Sequence, residues 1–298
     1  MSHARWARAL PFLAVLGSVT ALGLGTSLAK QHLFPQVGAL GTTALRVGFS
    51  ALLVVLMWRP WRRALRPGDG WAVLRYGVAL GFMNLLFYQA LQTIPFGIAV
   101  AIEFSGPLAV AMAGSRRAVD LLWLALAITG LALLLPLTQG VDVATLDPVG
   151  VAYALAAAAC WGSYIVFGKR LSHLHAGHSV SLGLSVAALS VMPFGVAHAG
   201  ASLLSPQVLM WGLVVAAISS AIPITLEMVA LKRLPPSAFG IMISMEPAVA
   251  ALLGMLILHE QLDARQWLAI GSIMAAAAGS SLTVRPAPTD ADASQVVT

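Results

Sequence analysis

The sequence predicts an all-α integral membrane protein, with ten transmembrane helices forming two inverted-topology five-helix repeats around a central cavity. Three observations carry this prediction. The 298 residues are 59% hydrophobic and only 9% charged, whereas a soluble domain carries about 25% charged residues. Apolar runs of bilayer-spanning length, about 20 residues, fill almost the whole chain. A short stretch containing a buried-type glutamate occurs twice.

The expected spans are roughly 9–29, 39–58, 72–93, 97–114, 121–137, 149–168, 179–198, 208–230, 237–257 and 266–284. The stretch 286–298 is polar and contains proline, the composition of a disordered tail. The first span is expected to be an uncleaved helix, because its apolar run exceeds a signal core of roughly 7–15 residues. The pI near 10.1 would suggest an acidic or nucleic-acid partner, but the basic residues lie between apolar runs and report topology instead. With the N-terminus in the cytoplasm, inner loops collect fourteen of the seventeen Lys and Arg residues, including Arg5, Arg8, Arg116, Arg117, Lys232 and Arg233. Outer loops hold Lys30 and Arg265. The excess of inner positive charge puts both termini inside. Trp58, Trp61, Trp71, Trp123, Trp211 and Trp267 fall near span ends, where amphipathic rings prefer to sit. Cys160 stands alone within an apolar run, which excludes an intramolecular disulfide framework and a cysteine zinc site.

The repeated stretch is ALQTIP-FGIAVAIE (90–103) and ALKRLP-(three residues)-FGIMISME (230–246), with a glutamate seven residues after the phenylalanine in both. Trp123-Leu124-Ala125 recurs as Trp267-Leu268-Ala269. The expected halves are 1–140 and 141–285. Five spans is an odd number, so the second half must enter from the opposite side. Gln92-Thr93 accordingly faces outward where Lys232-Arg233 faces the cytoplasm. Such repeats belong to transporters whose site lies at the midplane between halves.

Four ionisable residues fall within spans: Arg46, Glu103, Glu227 and Glu246. Each costs about 2.5–3.5 kcal/mol facing lipid, so each should face an interior or a wet cavity. Three acids and one base leave a surplus of two negative charges, and a low-dielectric interior favours keeping a proton among them. That is a route to proton coupling. The plainer alternative is an Arg46–glutamate lock with the other acids permanently neutral. Glu227, near Lys232, could instead pair at the cytoplasmic face.

Proline accompanies all three acids. Pro107 frees the carbonyl of Glu103, Pro247 that of Ile243, and Pro223 that of Ser219. Such interruptions are tolerated where neighbours or cavity water satisfy the backbone, although a packing kink explains any one of them equally well. Asn84, Tyr88 and Gln92 recur every four residues on one face of the third span, preceded by Gly77 and Gly81, which permit close helix approach. Trp161, with Gly162, Ser163 and Tyr164, is a candidate cavity wall, and ordinary core packing serves as well.

No catalytic set emerges. His259-Glu260 lacks a second histidine at metalloprotease spacing, and no phosphate-binding glycine motif is present. His173, His175 and His178 sit together in a short basic loop. Neither a metal nor a cofactor is expected.

The stretches 83–111 and 221–255, together with GTSLAK (25–30) and HEQLDARQWLAIG (259–271), resemble the EamA-type branch of the drug/metabolite transporter superfamily. The similarity spans nearly all the chain except the tail. The glycine usual before the acid near the end of the ninth helix is His259 here. The resemblance implies a ten-helix bacterial inner-membrane exporter of small amino acids such as threonine and homoserine, driven by an ion gradient. The expected partners are that solute, protons and the lipid bilayer, and the expected state is a monomer. A zwitterion would set its ammonium against Glu103 or Glu246 and its carboxylate against donors such as Arg46, Asn84 or Gln89. Another small metabolite or a cationic drug remains open as cargo. An intramembrane enzyme is the rival from another class, but it should show an asymmetric nucleophile–base set.

Overall fold

The computed structural model describes residues 2–62, 65–113, 118–134, 146–231, 234 and 236–283. Arg63, Arg116, Arg117, Lys232, Arg233, Arg285, the expected junction at 140–141 and the tail 286–298 lie outside the described residues. Among the described residues the chain is helical throughout, with no strand. The helices are α1 Ser2–Leu28, α2 Phe34–Trp58, α3 Asp69–Ala90, α4 Phe96–Glu103, α5 Ser105–Ala113, α6 Ala118–Leu134, α7 Pro148–Lys169, α8 Ala176–Ala199, α9 Pro206–Ala216, α10 Ile222–Leu231, α11 Pro236–Ile243, α12 Glu246–Leu258 and α13 Ala264–Thr283.

Among the described residues, six stretches are long and apolar enough to cross a membrane: Leu10–Arg62, Asp69–Ala90, Pro148–Lys169, Ala176–Leu204, Pro206–Glu227 and Phe239–Leu258. Phe96–Val110 and Leu121–Leu133 are shorter apolar helices. The surface fits a lipid solvent. Leu189 and Leu256 are 76% and 74% exposed, which costs nothing against hydrocarbon. Buried contacts instead use small residues, with Ala44, Ala99, Ala154, Ala157, Ala187 and Ala216 fully enclosed. Small side chains let helices approach closely where no hydrophobic force drives them together.

The expected loop between the first two spans is not a loop. A π-helical turn, Ala29–Leu33, joins α1 to α2, and the chain bends at Gly38 (φ 65°, ψ −178°). Glycine alone adopts that φ freely, and a side chain there would collide with the His198 ring.

Three of the expected spans depart from a regular α-helix close to a proline. α4 stops at Glu103 and α5 begins at Ser105, with Pro107 in its first turn. α11 stops at Ile243 and α12 opens Glu246-Pro247, placing proline where a helix has no donor to lose. Before Pro223, α9 passes through a π-helical turn, Ala217–Ala221, into α10.

The main packing partners are α2 with α8, α3 with α7 and α8, α6 with α13, α1 with α10 and α12, α2 with α9, α5 with α7, and α4 with α12. Gly77 and Gly81 abut the α8 backbone at Gly183 and Ala187, which is the close approach that their spacing predicts.

Candidate functional site

All four ionisable residues that the sequence places in spans line one cavity of about 300 Å³. Arg46 comes from α2, Glu103 from the end of α4, Glu227 from α10 and Glu246 from the start of α12. Asn84 of α3 and Trp161 of α7 complete the polar wall and the aromatic one. Trp161 is fixed edge-on against Phe104, the residue at the α4–α5 break, with ring centroids 5.1 Å apart.

Arg46 is only 9% exposed, and its partners are neutral. Its Nε donates to Ser219 Oγ at 2.9 Å, and its terminal nitrogen donates to Asn84 Oδ1. Both acceptors are oriented by their own helices: Ser219 donates to Val215 O at 2.7 Å and Asn84 Nδ2 to Leu80 O at 2.8 Å. The Tyr88 ring backs the guanidinium at 5.3 Å, a cation–π contact strengthened by exclusion of water. Ion pairs among the described residues join Lys30 to Glu260 and His173 to Asp69. The Arg46–glutamate lock considered from the sequence is therefore not formed.

The three acids differ in support. Glu227 Oε1 accepts from Ser18 Oγ of α1 at 2.8 Å. Glu103, 7% exposed, and Glu246 face the cavity without a hydrogen bond from the described residues. Of the three prolines, Pro247 is buried beside Glu246, Pro223 lines the neighbouring chamber, and Pro107 lies one residue past Gly106, which touches the α7 backbone at Ala158.

That neighbouring chamber, about 310 Å³, shares Arg46, Asn84 and Glu227 with the first, and the rest of its polar lining comes from Tyr76, Tyr164, Ser50, Ser219 and Ser220. The Arg46–Asn84 pair thus borders both spaces. Tyr164 belongs to this second chamber, where its ring stacks on Tyr76 at 4.6 Å and the hydroxyls lie 3.0 Å apart.

The expected polar stripe on α3 divides. Asn84 reaches the cavity, and Tyr88 is 1% exposed behind Arg46 with its hydroxyl unpartnered among the described residues. Gln89 and Gln92 line neither space. α3 ends at Ala90, so Gln92 sits in the following turn, exposed, and its side-chain amide bonds to Gln89. Helical periodicity does not extend past the end of its helix, and neither glutamine is brought to the site.

Sequence reasoning missed Ser18, Ser219 and Tyr76. Hydroxyls at 18 and 219 inside apolar runs were a faint signal, with nothing to indicate their partners. It also missed a clasp beside the cavity wall: Glu260 accepts from Lys30 Nζ at 2.6 Å and from the Phe96 N–H at 2.8 Å. His259 just before it adopts the left-handed conformation (φ 55°, ψ 29°), which explains why glycine suits that position. The loop histidines disperse: His173 pairs with Asp69, His175 accepts from the Gly177 N–H, and His178 is buried. Among the described residues no three His, Cys, Asp or Glu gather to hold a metal.

Comparison with known proteins identifies the family. The chain is 49% identical over 276 residues to the threonine/homoserine exporter RhtA of Escherichia coli K12, covering 93% of this chain and 92% of the relative. It is 47% identical over 279 residues to the exporter of the same name from Salmonella typhimurium LT2, covering 94% of each. A solved structure 20% identical to the chain superposes with a TM-score of 0.55 over 93% of this chain and 98% of the other, a likeness of fold alone. Residues 148–282 match the model of the EamA-like transporter family. With relatives so similar over nearly their full lengths, the chain belongs to the EamA-like transporter family and is a multi-span membrane transporter, not an enzyme.

Proposed function

We propose that the protein exports small zwitterionic amino acids, threonine and homoserine foremost, across the bacterial inner membrane by alternating access coupled to protons. The observation that carries this reading is one cavity holding a guanidinium with neutral partners and two carboxylates to which no donor among the described residues is bonded. Arg46 binds the solute carboxylate through charge-assisted hydrogen bonds, and Glu103 or Glu246 holds the ammonium. The other acid carries the proton that returns inward. A volume of about 300 Å³ lies at the bottom of the range for ligand pockets, roughly 300–1,000 Å³, which favours a solute of few atoms over a drug-sized cation.

The proposed architecture is ten spans in two inverted halves, 1–140 and 141–285, with both termini cytoplasmic. The packing supports it. Exchanging the halves carries α1 to α7, α2 to α8, α3 to α9–α10, α4–α5 to α11–α12 and α6 to α13. Under that exchange α1·α10 becomes α7·α3, α1·α12 becomes α7 against α4–α5, and α2·α9 becomes α8·α3, and each of these pairs packs together. α2·α8 and α6·α13 map onto themselves and also pack. The two glutamates of the repeated stretch each sit at a break in their helix.

The test is efflux of labelled threonine and homoserine from inside-loaded vesicles, with and without a proton gradient. A gradient-stimulated rate above that of protein-free vesicles is expected. Equal rates in the two preparations would remove the substrate assignment.

A further inference from the structure

A second polar recess, of about 260 Å³, lies away from the cavity, where the end of α2 meets the start of α8. It is lined by Trp58, Arg59, Pro60, Arg62, His175 and His178, with no carboxylate among them. α2 ends at Trp58, Arg59 turns the chain in the left-handed conformation (φ 47°, ψ 63°), and the 3₁₀ turn Pro60–Arg62 follows. This reversal brings two arginines to the first turn of α8. Neither forms an ion pair with the described residues.

Four further observations indicate what the recess would hold. His178 is 5% exposed, and its Nε2 finds no hydrogen-bond partner among the described residues. A buried ring nitrogen left without a partner is costly and calls for an occupant. His175 Nδ1 accepts from the Gly177 N–H at 3.3 Å, so the neutral ring keeps its proton on Nε2, a donor. The 24-residue helix α8 begins here, and the positive end of its dipole favours an anion. Trp61, 65% exposed beside the recess, is suited to headgroup depth.

We propose that this recess binds a phosphate group, presented by an anionic lipid headgroup at the membrane surface. Arg59 and Arg62 neutralise its charge and offer forked donors. His175 and His178 complete the coordination from α8. Trp58 closes the inner side, its ring packed on Gly177, a residue that also lines the second chamber. An occupied recess would therefore brace α2 against α8 beside that chamber.

Native mass spectrometry of the delipidated protein, offered phosphatidylglycerol, cardiolipin or phosphatidylcholine at equal concentration, tests this. One anionic lipid should be retained well beyond phosphatidylcholine. Arg62→Gln and His175→Gln, at accessible positions, should each weaken that retention about tenfold, the loss of one charge-assisted contact. Arg75→Gln, an exposed cation elsewhere on the surface that covers Trp71, should leave retention unchanged. His178→Gln should weaken it too, although this residue adds nothing to surface charge. Displacement of the lipid by millimolar inorganic phosphate would assign the site to the phosphate group alone, and resistance would assign it to the whole headgroup. Equal retention of phosphatidylcholine, or undiminished retention in a folded Arg62→Gln/His175→Gln double variant, would overturn the proposal.

Discussion

Arg46 donates to Asn84 Oδ1 and touches none of the three glutamates that share its cavity. A guanidinium held by neutral partners keeps its charge available for a ligand. Asn84→Asp is nearly isosteric and places a permanent counter-ion on the same atom. The apparent KM for threonine efflux should rise at least about tenfold, equivalent to ~1.4 kcal/mol, with insertion and thermal stability intact. Arg46→Lys should also fail, since a lysine cannot reach Ser219 and Asn84 as a fork. An unchanged KM in the Asn84→Asp protein would remove Arg46 from the solute site.

The Lys30–Glu260 pair yields a second expectation. Its side chains are 23% and 13% exposed, and the carboxylate also holds the first amide of α4. It thereby ties the α1–α2 turn to the end of α12. A double-mutant cycle of Lys30→Met and Glu260→Gln, followed by unfolding in mixed micelles, should give a coupling of about 0.5–1 kcal/mol. Simple additivity of the two changes would mean the clasp is geometric only.

Which parts of this molecule could be read in advance follows from cost. An ionisable group in lipid is expensive, so Arg46, Glu103, Glu227 and Glu246 had to converge, and proline spacing located the breaks beside them. Serine carries no such penalty, because it satisfies itself on the carbonyl four residues back, as Ser219 does on Val215. Nothing local therefore announces that Ser18 meets Glu227, 209 positions away. Gln92 falls outside the site because a period of four was carried past Ala90, where α3 stops, whereas Gln89 lies within α3 and accepts from the Gln92 amide instead. Lys30 and Glu260 looked like isolated loop charges until the fold brought their segments together.

Asp147 caps α7, accepting from the Val149 N–H at 3.1 Å. A hydrogen bond from the Thr93 side chain, with those of the Val149 and Gly150 amides, holds its carboxyl below the ordinary value of 3.8. A depressed folded value means the carboxylate form stabilises the fold above pH 3.8, and that this contribution is lost as pH falls through the folded value. The thermal midpoint should therefore drop on acidification below about pH 4, and Asp147→Asn should flatten part of that drop. Full acid sensitivity in the variant would place the titration elsewhere.

The proposed topology makes a claim about sides. Reporter fusions at Asp69 and Lys232 should read cytoplasmic, and fusions at Asp142 and Asp263 should read external. The informative pair is Asp142 and Lys232, because inversion of the second half requires them to differ. Finding both on one side would dismiss the inverted repeat.

Glu103 closes α4 and Glu246 opens α12, so exchange of the proposed halves superimposes the two breaks while reversing their direction across the membrane. A pair so placed can be reached from opposite sides in turn as the halves rock, which suits one acid to the ammonium and the other to the proton. Glutamine keeps the shape of glutamate and cannot ionise, so Glu103→Gln and Glu246→Gln separate charge from packing. Both variants should insert and fold, and each should lose gradient-driven export by at least about tenfold, ~1.4 kcal/mol of lost interaction. Solute-for-solute exchange then divides them. At the proton-carrying acid exchange should survive, since no net proton moves. At the ammonium-binding acid both modes should fail, because the solute itself is no longer held. Wild-type export with an unchanged pH profile in both variants would make the carboxylates structural and leave the coupling to some other group.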